Sequence, residues 1–150
     1  MSDIRLFKLK EHPEVLELIE GFSTEAGQPY NKHYYKGFWE SLEEDGVGQF
    51  FGSFDADDKL IGVLAAMLVD DCFNGDTIAN EHFWYVDPEH RRGSHGIKLF
   101  KKFIAWSEEV GAKRISMVHL ASLNAEKLGK LYERMDFVPL EIHYIKKVVA

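Results

Sequence analysis

Apolar positions along the 150-residue chain change their period several times, and each change marks an element. Ile4 to Lys10 alternates apolar and basic residues, which predicts a first strand. Pro13 suits the first turn of a helix. Val15, Leu16, Leu18 and Ile19 then follow at helical spacing until Gly27-Gln28-Pro29 breaks the pattern. Residues 31–44 predict a second, aromatic-rich helix that ends in Glu43-Glu44-Asp45 before Gly46. Val47 to Phe54 and Leu60 to Val69 predict a hairpin across the acidic turn Asp55-Ala56-Asp57-Asp58. After the turn signal Asn74-Gly75, Ile78 to Val86 predicts a further strand, which Asp87-Pro88 closes.

Ser94 to Val110 carries a broad apolar stripe of Ile97, Leu99, Phe100, Phe103, Ile104, Trp106 and Val110, the mark of an amphipathic helix, and Gly111 stops it. Ile115 to Leu120 predicts a strand. Residues 124–135 predict a helix with Leu128, Leu131, Tyr132 and Met135 on one face. Phe137 onward predicts two short closing strands, the last from Ile142 to Val149. The order βααβββαβαββ describes a mixed α+β domain of seven strands and four helices. The strands before and after the helix at 94–110 are expected to run parallel, because a helical crossover joins them. No repeat, low-complexity tract or linker interrupts the chain, so a single domain over residues 1–150 is expected.

Composition narrows the function classes. Hydrophobic residues make up 45% and aromatic residues 13%, enough for a sizeable core. The net charge of −7 argues against nucleic-acid binding, which needs a basic field. It suits good solubility and mildly favours a cationic partner. No apolar run reaches membrane-spanning length, and Met1-Ser2-Asp3-Ile4 lacks the basic start and apolar core of a signal peptide. Cys72 is the one cysteine, so neither a disulfide within the chain nor a cysteine zinc set is available. A cytoplasmic location is expected.

The stretch that carries chemistry is Val86-Asp87-Pro88-Glu89-His90-Arg91-Arg92-Gly93-Ser94-His95-Gly96-Ile97, a strand followed by a basic turn and a helix start. Backbone N–H groups at such a turn lack partners and converge. The helix dipole adds partial positive charge, and Arg91 and Arg92 add full charges. The result is an anion cradle suited to a pyrophosphate.

This segment resembles the acetyl-CoA signature of the GNAT acetyltransferases, Val-x-Pro-x-x-Arg-x-x-Gly-x-Gly/Ala, with Val86, Pro88, Arg91 and Gly96 in register. Ser94 stands where the family usually has glycine, which matters only if the backbone there needs a positive φ. Farther on, Asn124 and Leu131-Tyr132-Glu133-Arg134-Met135-Asp136-Phe137 resemble the family's Asn…Leu-Tyr-x-x-x-Gly-Phe. Asp136 replaces the glycine, at a left-handed position that aspartate can occupy. Asn124 lies one residue farther from the tyrosine than in the common pattern. The resemblance covers roughly residues 47–148 and implies the GNAT fold, a mixed and mostly antiparallel sheet of about seven strands with four helices. The Arg-Arg-Gly-Ser turn before a lysine-rich helix is also similar to acetyltransferases of bacteriophages, which would place the protein in a host cytoplasm.

The resemblance implies acetyl-CoA as acetyl donor, an amine as acceptor, direct attack in a ternary complex, and no metal. Its cofactor-binding positions fall on Trp84, Val86, Arg91, Arg92, Gly93, Ser94, His95, Gly96, Ile97 and Asn124. Tyr132 becomes the general acid toward the thiolate, a phenol being protonated at neutral pH. For the base, Glu81 stands slightly ahead of His119, and His82 or a water chain can also serve. Strict alternation puts Glu81 and His82 on opposite faces, with His82 sharing the parity of Trp84 and Val86 unless a bulge intervenes. The aromatic residues Tyr30, Tyr34, Tyr35, Phe38 and Trp39 are core candidates, some of which can line an amine pocket. Dimers occur among relatives. The competing reading is a catalytically silent module of the same fold that binds acyl-CoA or a protein partner. Asp70-x-Cys72-x-Asn74-Gly75-x5-Glu81 nearly fits a calcium loop, but Cys72 replaces an oxygen ligand and the flanks read as strands.

Overall fold

The computed structural model describes residues 3–121 and 123–148. The chain forms two compact units, residues 1–118 and 119–150.

The first unit holds a five-stranded sheet in the order β1-β2-β3-β4-β5. Its strands are β1 (Asp3–Phe7), β2 (Gly48–Phe54), β3 (Leu60–Asp70), β4 (Thr77–Val86) and β5 (Arg114–Ser116). Strands β1 to β4 are antiparallel, and β4 pairs with β5 in parallel. The parallel step follows from helix α3 (His95–Glu109), which carries the chain between them. β3 is buried from Leu60 to Ala66, as an unbroken apolar run on a central strand requires.

Helices α1 (Val15–Ala26) and α2 (Lys32–Glu44) cover one face of the sheet. Val15, Leu16 and Ile19 of α1 and Trp39 of α2 pack with Phe50, Val63, Ala65, Phe83 and Tyr85. Trp39 stacks on Phe50 at 4.1 Å between centroids. On the other face, Leu99 and Phe103 of α3 pack with Phe51, Leu64, Ala66, Ala79 and Val86. Two turns close as the glycines predict: Gly27 caps α1 with φ +69° and Gly111 follows α3 with φ +80°. The loop from Asp70 to Asn74 is a hairpin connection. Its buried Asp71 pairs with Arg114 of β5, and no acidic, histidine or cysteine cluster able to hold a metal occurs among the described residues.

The second unit contains helix α4 (Ala125–Arg134). Its C-terminus closes with Phe137 N–H donating to the Tyr132 carbonyl at 2.9 Å, and Asp136 takes φ +67°. A residue with a Cβ is strained there. Asp136→Gly is therefore expected to raise stability by up to ~1 kcal/mol, and Asp136→Val to lower it by ~1–2 kcal/mol, read from urea midpoints.

Two expectations need correcting. The last predicted strands do not form: residues 137–148 have no ladder, and Val138, Leu140, Ile142 and Tyr144 are 79–91% exposed. The alternation is real, but a strand also needs a hydrogen-bonded neighbour, and residues 137–148 form no ladder among the described residues. The sheet among the described residues thus has five strands instead of about seven. The strand at 115–120 is shortened to Arg114–Ser116, because its pairing with β4 stops after Asn80↔Ser116.

Candidate active site

That early stop opens the site. β4 stays paired to β3 as far as Val86 but to β5 only from Ile78 to Asn80. From Glu81 onward, this edge of β4 is bare of strand pairing among the described residues. Asp87 N–H donates to the Ile61 carbonyl of β3 at 2.8 Å. In an antiparallel ladder alternate residues bond to the same neighbour, so Tyr85 and Asp87 face β3, while Trp84 and Val86 turn their N–H and C=O groups to the bare edge, where the Val86 carbonyl accepts from Arg91 Nε.

The chain then makes a 3₁₀ turn, Pro88–His90, capped by the Asp87 carboxylate accepting from Glu89 N–H, and enters α3 through Arg91–Ser94. Among the described residues, the amides of Arg92, Gly93, Ser94, His95, Gly96 and Ile97 donate no hydrogen bond. The ladder of α3 begins with Lys98 N–H to the Ser94 carbonyl. Six unpaired donors at a helix N-terminus are the geometry that an anion cradle requires. Ser94 sits at φ −96°, an ordinary conformation, so the glycine usual in the family is not required here.

The predicted cradle residues divide by role. Arg92 is exposed and makes no ion pair among the described residues. Arg91 grips Glu25 of α1 with two hydrogen bonds of 2.7 Å, its Nε donates to the Val86 carbonyl at 2.8 Å, and its guanidinium lies 5.1 Å from the Tyr85 ring. This pairing raises the Arg91 pKa and holds the Glu25 carboxyl below its usual range. Arg91 thus ties the end of β4 to α1 and positions the cradle. His95 hydrogen-bonds through Nδ1 to the buried Ser53 hydroxyl at 2.8 Å, anchoring the first turn of α3 on β2. Burial lowers the His95 pKa, so the ring is neutral. Gly96 faces the sheet: a Cβ there would meet the Trp84 ring at 3.6 Å and Val86 at 3.7 Å.

Glu81 lies where the bare edge begins, and it is 6% exposed. The register skips from Ala66↔Glu81 to Ala65↔Phe83, so His82 is the extra residue of a β-bulge. The bulge overrides strict alternation, and both Glu81 and His82 line one cavity. Burial pushes the Glu81 carboxyl up to about 8, an effect partly offset by a hydrogen bond from the Val118 amide. His82, beside Trp39, is shifted down by burial alone.

The cavity holds about 470 Å³. Rings of Phe22, Tyr30, Tyr35 and Phe83 form its wall, with Phe22–Phe83 at 5.4 Å, Tyr35–Phe83 at 6.4 Å and Tyr30–Tyr35 at 6.1 Å between centroids. Tyr34 and Phe38 stack on each other outside it, and Trp39 belongs to the core.

The remaining candidates belong to the second unit. Tyr132 is 7% exposed, and its ring stacks on His119 at 6.3 Å and meets Phe137 at 6.0 Å. Asn124 starts α4 with φ +52° and caps nothing with its side chain. It lines a surface hollow of about 610 Å³ with Lys127 and Lys130. Sequence reasoning missed Glu25, Ser53, Phe22 and Phe83 as parts of the site. No local signal marks them: Glu25 and Arg91 lie 66 residues apart, and Ser53 and His95 lie 42 apart.

Solved structures share this fold. A ribosomal-protein-alanine N-acetyltransferase from Brucella melitensis matches with TM-score 0.76 at 19% identity, covering 99% of this chain and 100% of its own. A glucosamine-6-phosphate N-acetyltransferase from Arabidopsis thaliana matches with TM-score 0.74 at 12% identity over 98% of both chains. An aminoglycoside acetyltransferase from an uncultured soil metagenomic sample, solved with sisomicin, gives TM-score 0.74 at 14% identity over 99% and 97%. At such identities the likeness establishes the fold alone. No curated protein sequence matches significantly. The family model described as Acetyltransferase (GNAT) family matches residues 13–137, spanning the cradle, the bulged strand and helix α4. The chain therefore belongs to the GNAT acetyltransferase family and is an acyltransferase.

Proposed function

We propose that the protein transfers the acetyl group of acetyl-CoA to a primary amine by direct attack in a ternary complex. The observation that carries this reading is the row of unpaired amides from Arg92 to Ile97 at the end of a bare strand edge. The cradle amides hold the pyrophosphate, with Arg92 adding charge. The pantetheine arm pairs with the main chain of Trp84 and Val86, as an added strand does. That course leads the thioester toward Glu81, where the bare edge begins.

The chemistry needs three proton movements. The acceptor enters as an ammonium and gives a proton to the Glu81 carboxylate. Its freed lone pair attacks the thioester carbonyl carbon. The nitrogen sheds its second proton as the carbon–sulfur bond breaks, and the leaving thiolate takes a proton from a general acid, which that second proton restores. Tyr132 fills that last role by family resemblance. A carboxyl shifted to about 8 suits the first, because a base works best with a pKa near the working pH.

Release of free thiol from acetyl-CoA in the presence of an amine tests the reading. Tyr132→Phe is expected to lower kcat by roughly 10–100-fold while changing acetyl-CoA affinity less than about twofold. Equal losses in both would reduce this tyrosine to packing. Acetyl-CoA binding without thiol release from any amine would overturn catalysis and leave a binding module.

A further inference from the structure

The cavity beside Glu81 has a chemistry that discriminates among amines. Among the described residues Glu81 is the one carboxylate lining it, and no lysine or arginine does. Its histidine, His82, is biased toward the neutral form by burial. Glu25 on the neighbouring helix α1 is already occupied by both guanidinium arms of Arg91. A second ammonium on the acceptor would find no further carboxylate in the lining, Glu20 acting on Tyr30 from outside it, and a phosphate would find no cation. A polyamine, an aminoglycoside or a phosphorylated amino sugar would lose hydration there without compensation.

The aromatic part of the lining rewards a flat apolar body. Phe22, Phe83, Tyr35 and Tyr30 follow one another at centroid spacings of 5.4, 6.4 and 6.1 Å, the range of favourable ring–ring contacts. Within this arc, the Tyr35 hydroxyl is shielded from solvent and has no hydrogen-bond partner among the described residues, whereas the Tyr30 hydroxyl donates to the Leu16 carbonyl at 3.3 Å. Buried hydroxyl groups are rarely left unpaired. A ligand that brings one polar atom to Tyr35 relieves that cost.

We infer that the acceptor is a small arylalkylamine: one primary amine for Glu81, an aromatic body for the ring arc, and one hydrogen-bonding group for the Tyr35 hydroxyl. This rests on the acetyltransferase reading above. It makes Tyr35 a specificity-determining residue, and it separates this chain from its aminoglycoside- and sugar-acetylating structural neighbours by the charge of one cavity.

The test is a panel of acceptors with acetyl-CoA, following thiol release: tyramine, 2-phenylethylamine, spermidine, kanamycin, glucosamine 6-phosphate and an alanine-headed peptide. The kcat/KM for tyramine is expected to exceed that for each of the last four by at least roughly tenfold. It should also exceed that for 2-phenylethylamine by about fivefold or more, a preference that Tyr35→Phe, which keeps the ring, removes through KM. Faster acetylation of spermidine, kanamycin, the sugar or the peptide overturns the acceptor class and leaves the transferase intact. A tyramine preference that survives Tyr35→Phe overturns the role of that hydroxyl. Silence toward every amine, with the heat of acetyl-CoA binding intact, overturns the class together with the transferase reading beneath it.

Discussion

Gly96→Glu is expected to abolish acetyl-CoA binding in calorimetry while leaving a folded protein. The side chain at this position grows toward the Trp84 ring and Val86, with a Cβ at ordinary contact distances of 3.6 and 3.7 Å. Gly96→Ala therefore fits the fold and isolates the effect of the first carbon. Gly96→Gln adds the bulk without the charge. The glutamate adds an anion among the unpaired amides of Arg92 to Ile97, where a diphosphate would lie. Repulsion between like charges in a partly desolvated cradle costs several kcal/mol on the scale of displaced charge-assisted hydrogen bonds, at about 1.5–3 kcal/mol each. Losing two such bonds weakens affinity by roughly 100-fold or more. The expected order of affinity is wild type, Gly96→Ala, Gly96→Gln, then Gly96→Glu with no heat. Equal affinity for the glutamine and glutamate variants would show that no anion sits at this helix end.

Much of this site was legible because its parts are local. A basic turn between a strand and a helix announces unpaired amides whatever the rest of the chain does, and the sequence carries that turn in twelve consecutive residues, Val86 to Ile97. Periodicity likewise located α3 to within one residue at each end, since Leu99, Phe100 and Phe103 must face the sheet. What was not legible depends on distant partners. Alternation alone separates Glu81 from His82. Only the pairing of β3 with β4 reveals the bulge that brings both into one cavity. Arg91 reads as a phosphate ligand until Glu25 appears beside it. The tail from Phe137 onward has the period of a strand, yet alternation specifies a face and not a neighbour, so the same pattern stands exposed where no ladder forms.

Glu81→Gln is expected to lower kcat by about 100- to 1,000-fold, within the range of general-base catalysis. It should also remove the ascending pH limb near 8 that the raised Glu81 pKa leads one to expect for the wild type. The limb follows from burial, which holds the carboxyl up to about 8, so that only roughly a tenth of molecules carry the basic form at pH 7. Following kcat at saturating acceptor confines the profile to groups of the ternary complex.

A second readout is independent of turnover. Folded Glu81 holds its proton up to about pH 8, whereas the unfolded chain releases it near the ordinary 4.5. Across that window the unfolded state binds fewer protons, so stability falls as pH rises, by an amount on the order of a few kcal/mol. Glutamine cannot ionise, so the variant should lose this slope and gain on the wild type at pH 8 and above, in urea unfolding at several pH values. A wild-type profile that persists in Glu81→Gln would assign the base elsewhere, with His82 in the same cavity next in line. A lost stability slope with unchanged kcat would leave Glu81 buried and ionisable but catalytically idle.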